Sequence, residues 1–285
     1  MEDTFRQKPF FLGKVKLMYK VVIIGAAGRM GRRLVANIMN SQTLALAGAV
    51  EFSGSPFAGQ DAGILAGCGE AGVKITDDLA ALLPNADAVI DFATGGVIEA
   101  ARAAVKNNCA MVIGTTALSA DDRAELKRLA VEENGRIVAA NNMSVGVNLL
   151  FKLVKEAAAF LGIDYNVEIV EMHHNKKLDS PSGTAVRLGE VVCEARNWNY
   201  DEAVKNGRSG MVGKRPAEEI GMHALRGGDV VGDHTVIFAA EGERLELSHK
   251  AASRDMFARG ALLAVEFLMD APAGLYDMQD VLKLK

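Results

Sequence analysis

Residues 171–185, Glu171-Met172-His173-His174-Asn175-Lys176-Lys177-Leu178-Asp179-Ser180-Pro181-Ser182-Gly183-Thr184-Ala185, hold the densest set of reactive side chains in the sequence. Imidazoles exchange protons near neutral pH, and ammonium groups attract anions. Ser180-Pro181 has the composition of a helix N-cap followed by proline at the first helical position. Ser182, Gly183 and Thr184 then form a first helical turn, whose free N–H groups suit a carboxylate. A dianionic substrate would have one anchor at the helix end and another near Lys176 and Lys177, with His173 and His174 as proton donors. Zinc fits poorly, because neighbouring strand residues point to opposite faces and no cysteine or third histidine stands at ligand spacing. No metal site is expected.

A second group supplies a different chemistry. Gly25-Ala26-Ala27-Gly28-Arg29-Met30-Gly31 follows an apolar run and opens a helical pattern. Glycine there permits a tight strand-to-helix turn and lets a pyrophosphate reach the helix N-terminus. The next apolar run ends in Glu51, twenty residues beyond Gly31, where a carboxylate can accept both hydroxyls of an adenosine ribose. The absence of G-K-[ST] argues against a nucleoside triphosphatase. Gly114-Thr115-Thr116 follows another apolar run and should face the same crevice, since ligands of an open parallel sheet sit beyond the carboxyl ends of its strands. His223, His234 and His249 fall in strand-like runs and read as structural, while the turn Arg226-Gly227-Gly228 offers a guanidinium to a carboxylate.

The elements that must position these groups are legible as well. Residues 21–24, 44–50, 88–91, 110–113 and 136–139 are short apolar runs, mostly without polar alternation, and they alternate with helical patterns. That texture predicts an α/β domain built on a parallel sheet buried on both faces. A helix capped by Ser119 should end at Asn134-Gly135, and another should run from near Gly146 to Leu161. From residue 164 the strands alternate and crowd together, with a hairpin at Glu241-Gly242-Glu243, which predicts a second α+β domain on an antiparallel or mixed sheet. The helical pattern of residues 255–269 suits either domain. The expected boundaries are 1–18 for an extension outside the fold, with Met18 a possible alternative start, 19–143 for the dinucleotide domain, 144–253 for the substrate domain and 254–285 for a closing segment.

A chain of 285 residues has room for two domains. Its 49% hydrophobic and 24% charged residues fit a globular protein, and a net charge of −4 argues against a broad nucleic-acid-binding face. Three scattered cysteines suggest neither a disulfide framework nor a zinc knuckle, so a reducing cytoplasm is expected. No run is long enough to span a membrane.

The motifs G-A-A-G-R-M-G at Gly25, G-T-T at Gly114, N-M-S-V-G-V-N at Asn142, H-H-N-K-K-L-D-S-P-S-G-T-A at His173 and R-G-G-D-V-V-G-D-H-T at Arg226 resemble the 4-hydroxy-tetrahydrodipicolinate reductase (dihydrodipicolinate reductase) family of lysine and diaminopimelate synthesis. The resemblance runs from about Tyr19 to the C-terminus. It implies a Rossmann-like first domain, a second domain that builds a homotetramer, and a closing segment that returns to the first. By the same resemblance Gly25, Ala26, Ala27, Gly28, Arg29, Met30 and Glu51 would bind cofactor. Gly114, Thr115, Thr116, Ala140, Asn141, Asn142 and Met143 would lie near the nicotinamide. His173 would be the acid/base residue and Lys177 the proton donor, with His174, Gly183 and Thr184 holding substrate. Phe52 departs from the arginine that many relatives place after the acidic residue, so NADH should be preferred to NADPH or equal to it. Two other readings are a different nicotinamide enzyme of the same pathway, such as a diaminopimelate dehydrogenase, and a non-catalytic NADH sensor.

Overall fold

The computed structural model describes residues 18–115 and 118–285. The first sheet collects the apolar runs. Its part of the chain runs β1 (Tyr19–Ile24), α1 (Arg29–Met39), β2 (Leu44–Val50), α2 (Ala62–Ala66), β3 (Ile75–Thr76), α3 (Leu79–Leu82), β4 (Ala88–Asp91), α4 (Val97–Lys106), β5 (Ala110–Ile113), α5 (Ala120–Glu132) and β6 (Arg136–Ala139). The second part continues with α6 (Val145–Leu161), β7 (Asn166–His173), α7 (Gly183–Arg196), α8 (Tyr200–Ala203), β8 (Val204–Asn206), β9 (Ile220–Arg226), β10 (Gly232–Ala240) and β11 (Glu243–Ala251). The closing segment is α9 (Asp255–Asp270), β12 (Gly274–Tyr276) and α10 (Met278–Val281).

Seven parallel strands lie in the order β12-β6-β5-β4-β1-β2-β3. Every residue of β4 and β5 is buried, which is why these strands show no polar alternation. Helix α9 covers one face through Ala258, Ala261, Ala264, Val265 and Leu268, packed with Val21, Ile23 and Ile90. Leu126 and Leu129 of α5, with Ala101 and Ala104 of α4, cover the other against Val22, Val89 and Met111. Strand β12 then pairs with β6, so the closing segment is part of the first sheet. Ser119 caps α5 in a reciprocal capping box with Asp122.

The second sheet is mixed, in the order β11-β10-β7-β9-β8. Strand β10 runs antiparallel to β7 and β11, while β7, β9 and β8 are parallel. Its inner face packs Val167, Ile169, Val236 and Phe238 against Leu150, Val154 and Ala158 of α6 and Leu188 and Val192 of α7. On the far side of β7, Glu168 accepts hydrogen bonds from Arg208 and Arg215 and pairs with His223, a structural role for that histidine. Among the described residues no helix is long and apolar enough to cross a membrane.

Candidate active site

Between the two sheets lies a cleft of about 1000 Å³. One wall is Ala139, Ala140, Asn141 and Asn142, just beyond the carboxyl end of β6; the other is His173, Lys177, Asp179, Ser182, Gly183 and Thr184. Gln279 of the closing segment also lines it and donates to Asn148 of α6 at 3.0 and 3.1 Å. The Asn142 amide donates to Thr184 Oγ1 across the cleft at 3.1 Å, so the two walls already touch.

Alternation along β7 explains the second wall. Val167, Ile169, Glu171 and His173 all turn to the buried face, which carries apolar residues until its last two positions. Glu171 is fully buried there. Its Oε2 lies 2.6 Å from His173 Nδ1, its Oε1 accepts the Ser182 N–H at 3.0 Å, and Arg226 donates to both oxygens at 2.9 Å. Burial would raise the Glu171 carboxyl, but Arg226, His173 and the Ser182 N–H outweigh it and hold the group below the usual carboxylate range. Burial lowers the His173 pKa, although Glu171 pulls it upward. The guanidinium that the Arg226-Gly227-Gly228 turn offers to a carboxylate is thus taken up by Glu171.

The helix start differs by two residues from expectation. Ser182, not Ser180, is the N-cap of α7, and its hydroxyl accepts the Ala185 N–H at 3.3 Å. Ser182 has extended backbone, at φ −66° and ψ 151°, and its N–H bonds Glu171 Oε1. Gly183 and Thr184 become the first two helical residues, positions whose N–H groups have no intrahelical acceptor. Lys177 Nζ lies 2.8 Å from both oxygens of Asp179, whose side chain is 64% exposed. His174 and Lys176 do not line the cleft; the His174 N–H bonds the Val230 carbonyl and Lys176 faces solvent. Met143 is buried in the core shared with α9, so its side chain does not reach the cleft.

His234, on β10 opposite Glu171, lies 3.0 Å by Nε2 from Ser182 Oγ. Its burial, reinforced by His173, pushes its pKa down to about 3 from the ordinary 6.5. An unfolded chain therefore binds a proton that the folded one refuses. This contribution is fully present above pH 6.5 and is lost as the pH falls towards 3. Asp91, raised to about 6 by burial, acts in the opposite sense: its contribution is present below 3.8 and lost as the pH rises through 6. His234→Asn should remove the first effect alone. Denaturant titrations of wild type and variant should then diverge in slope by about 1.4 kcal/mol per pH unit through the acid range; parallel curves would assign the acid loss to other groups.

The glycine turn expected to hold cofactor joins β1 to α1. Gly25 adopts φ +71°, its N–H bonds the Val50 carbonyl, and Gly28 caps α1 without a side chain. A Cβ on Gly31 would stand 2.0 Å from the Gly25 carbonyl oxygen, so only glycine lets the helix start this close to the turn. Glu51 Oε1 accepts the Ala27 N–H at 2.8 Å, which holds the acidic side chain against the turn. Arg29 is exposed and Met30 half-buried. This cradle fits a dinucleotide: an uncapped helix end for the pyrophosphate and a carboxylate beside it for the ribose. Gly114 and Thr115 follow β5, and the Gly114 N–H bonds the Asp91 carbonyl; Thr116 lies outside the described residues, as does the expected N-terminal extension apart from Met18.

Comparison with known proteins places this geometry. A family model described as dihydrodipicolinate reductase, N-terminus, matches residues 19–143, and its C-terminus counterpart matches residues 146–282. The chain belongs to the dihydrodipicolinate reductase family. The 4-hydroxy-tetrahydrodipicolinate reductase of Syntrophotalea carbinolica is 51% identical over 269 residues, 94% of this chain and 100% of the relative. That of Geotalea daltonii is 50% identical with the same coverage. Among solved structures, a dipicolinate-bound dihydrodipicolinate reductase from Paenisporosarcina sp. TG-14 superposes with a TM-score of 0.74 at 24% identity, covering 93% of this chain and 99% of that one. The chain is thus an oxidoreductase with the Rossmann-like domain of a nicotinamide-dependent reductase family, and the sensor reading is set aside.

Of the apolar residues on the later strands, Val236 and Phe238 are fully buried against α6 and α7, whereas Leu245 of β11 is exposed and borders an apolar surface with Leu153 and Phe160 of α6.

Proposed function

We propose that this chain reduces 4-hydroxy-tetrahydrodipicolinate to tetrahydrodipicolinate with loss of water, in lysine and diaminopimelate synthesis. The observation that carries the reading is a single cleft lined by His173, Lys177, Gly183 and Thr184 on one side and by residues beyond β6 on the other. The N–H groups of Gly183 and Thr184 hold one carboxylate of a small diacid at the α7 terminus. Lys177 exchanges the exposed Asp179 for the dianion, neutralises charge growing on the ring and donates a proton. His173 acts as the acid/base partner. A reduced nicotinamide, held by residues 25–30 and Glu51, supplies the hydride when bound. Ala140, Asn141 and Asn142 border the space where that ring must meet the substrate. Three unpaired cysteines agree with a reducing cytoplasm.

NADH is preferred to NADPH or equal to it. Glu51 beside the turn repels a 2′-phosphate, Phe52 is 68% exposed and uncharged, and Arg32 already donates to the Ala27 carbonyl while lying over Phe57. An assay with freshly generated substrate should give turnover with NADH and a kcat/KM no lower than with NADPH. No turnover with either cofactor would overturn the reaction; an advantage of about tenfold for NADPH would overturn the preference alone.

The chain assembles as a homotetramer in this reading, which the exposed Leu153, Phe160 and Leu245 support. Light scattering at micromolar concentration should give a mass well above the 30.3 kDa of one chain; that mass itself would refute assembly.

A further inference from the structure

Glu171 has no role in the function so far, yet it is fully buried behind the second wall of the cleft, against His173 and Ser182. It sits on the core face of β7 beside Ile169, where an apolar side chain would serve packing better. Each oxygen has two partners. Oε2 meets His173 Nδ1 and one Arg226 nitrogen; Oε1 meets the Ser182 N–H and the other Arg226 nitrogen. The guanidinium thus fixes the plane of the carboxylate, and the carboxylate fixes two things at once: the His173 ring and the residue that caps α7.

We propose that Glu171 is a positioning residue that accepts a hydrogen bond from the Nδ1–H of His173, leaving Nε2 to exchange protons, and locks this imidazole at a set distance from the Gly183-Thr184 carboxylate cradle. The proposal rests on His173 being the acid/base residue. The geometry is consistent around the ring. An ionised carboxylate only accepts, so at 2.6 Å the facing Nδ1 must donate. On the opposite side Gly232 leaves room, since a Cβ there would stand 2.9 Å from His173 Nε2. The groups that bear on His173 titration are Glu171 on its own strand, Arg226 on β9, His234 on β10, its ring centroid 5.2 Å away, and Lys177 in the loop before α7. Glu171 alone among them carries negative charge. Asp179 lies beyond Lys177 and is paired with it.

The consequence is a link between proton transfer and substrate hold that runs through one side chain. Glu171→Gln keeps the shape but loses the charge, and its amide must turn a donor towards Arg226, Ser182 or His173, each of which already donates. Two measurements separate the positioning role from the reading on which it rests. In the wild-type protein, nitrogen-15 NMR of the His173 ring, assigned by its loss in His173→Gln, should show the Nδ1–H tautomer above the ring's pKa. An Nε2–H tautomer overturns the proposal whatever the variants do. In Glu171→Gln, the apparent pKa assigned to His173 in the kcat/KM profile should fall by about one unit or more and substrate KM should rise by about tenfold, with NADH affinity unchanged within about twofold. An unshifted profile with lowered thermal stability would make Glu171 merely structural and overturn the proposal. Full activity in His173→Ala would instead overturn the acid/base reading, and the tautomer result would still stand or fall by itself.

Discussion

Lys177→Ala is expected to lower kcat by about 10²-fold or more, while NADH affinity changes by less than about twofold. The ammonium lines the cleft a few residues before the α7 terminus, and its partner Asp179 is largely exposed. An ion pair whose carboxylate stands in solvent contributes little, so a bound dianion displaces Asp179 at small cost. In the proposed function the freed ammonium has two tasks, giving a proton and offsetting charge as it develops, and alanine performs neither. KM should also rise, because Asp179 is left unpaired at the mouth and repels a diacid. The cofactor turn at Gly25 belongs to the other domain, which is why NADH binding should be insulated. Steady-state kinetics and a fluorescence titration of NADH test both halves. Near-normal turnover would move the proton-donor role to His173. A parallel loss of NADH affinity would mean that the variant disturbs the whole cleft.

How far the sequence revealed this arrangement depends on what kind of signal each residue leaves. The apolar runs at 21–24, 44–50, 88–91, 110–113 and 136–139 became five of the seven strands of the first sheet, because burial on both faces writes itself as unbroken hydrophobicity. Strands β3 and β12, of two and three residues, exist only through pairing with β2 and β6, and nothing local marks them. The same division runs through the site. His173, Lys177, Gly183 and Thr184 stood in one segment and do converge on the cleft. Glu171 stands in that segment too, and the sequence carries a signal for its burial: Val167 and Ile169 define the core face of β7, and counting on by twos reaches Glu171 and then His173. A carboxylate at a core position demands a partner. What sequence did not reveal was which partner, since Arg226 comes from a strand more than fifty residues later. The cap of α7 is hidden for the same reason: Ser180-Pro181 and Ser182 compete on local propensity, and the partners of Ser182, Glu171 and His234, lie far away in sequence.

Gly31→Ala should weaken NADH binding by about 10²-fold while leaving the second wall of the cleft intact. The added Cβ would stand 2.0 Å from the Gly25 oxygen and 2.6 Å from Ala26 Cα. Both are backbone atoms, so no rotamer change relieves the clash, and α1 must withdraw from the turn by about 1 Å. In the proposed cofactor site the turn and the helix end hold the pyrophosphate jointly, through N–H groups whose bonds weaken steeply with distance. Charge-assisted bonds contribute about 1.5–3 kcal/mol each, so losing two costs at least about 3 kcal/mol, the stated hundredfold. Glu51 is carried along, because its carboxylate is anchored on Ala27 within the same turn. Stability should fall as well, by about 1–3 kcal/mol for overpacking, since α1 also buries Leu34, Val35 and Ile38 in the core. The control that separates a local from a global effect is pyridine-2,6-dicarboxylate titrated without NADH. Its proposed site is built from β7, α7 and Lys177, and α1 contributes nothing to that wall. Retained binding of the diacid with lost binding of NADH is the expected pair of results in calorimetry. Wild-type NADH affinity in Gly31→Ala would show that this turn does not hold the pyrophosphate.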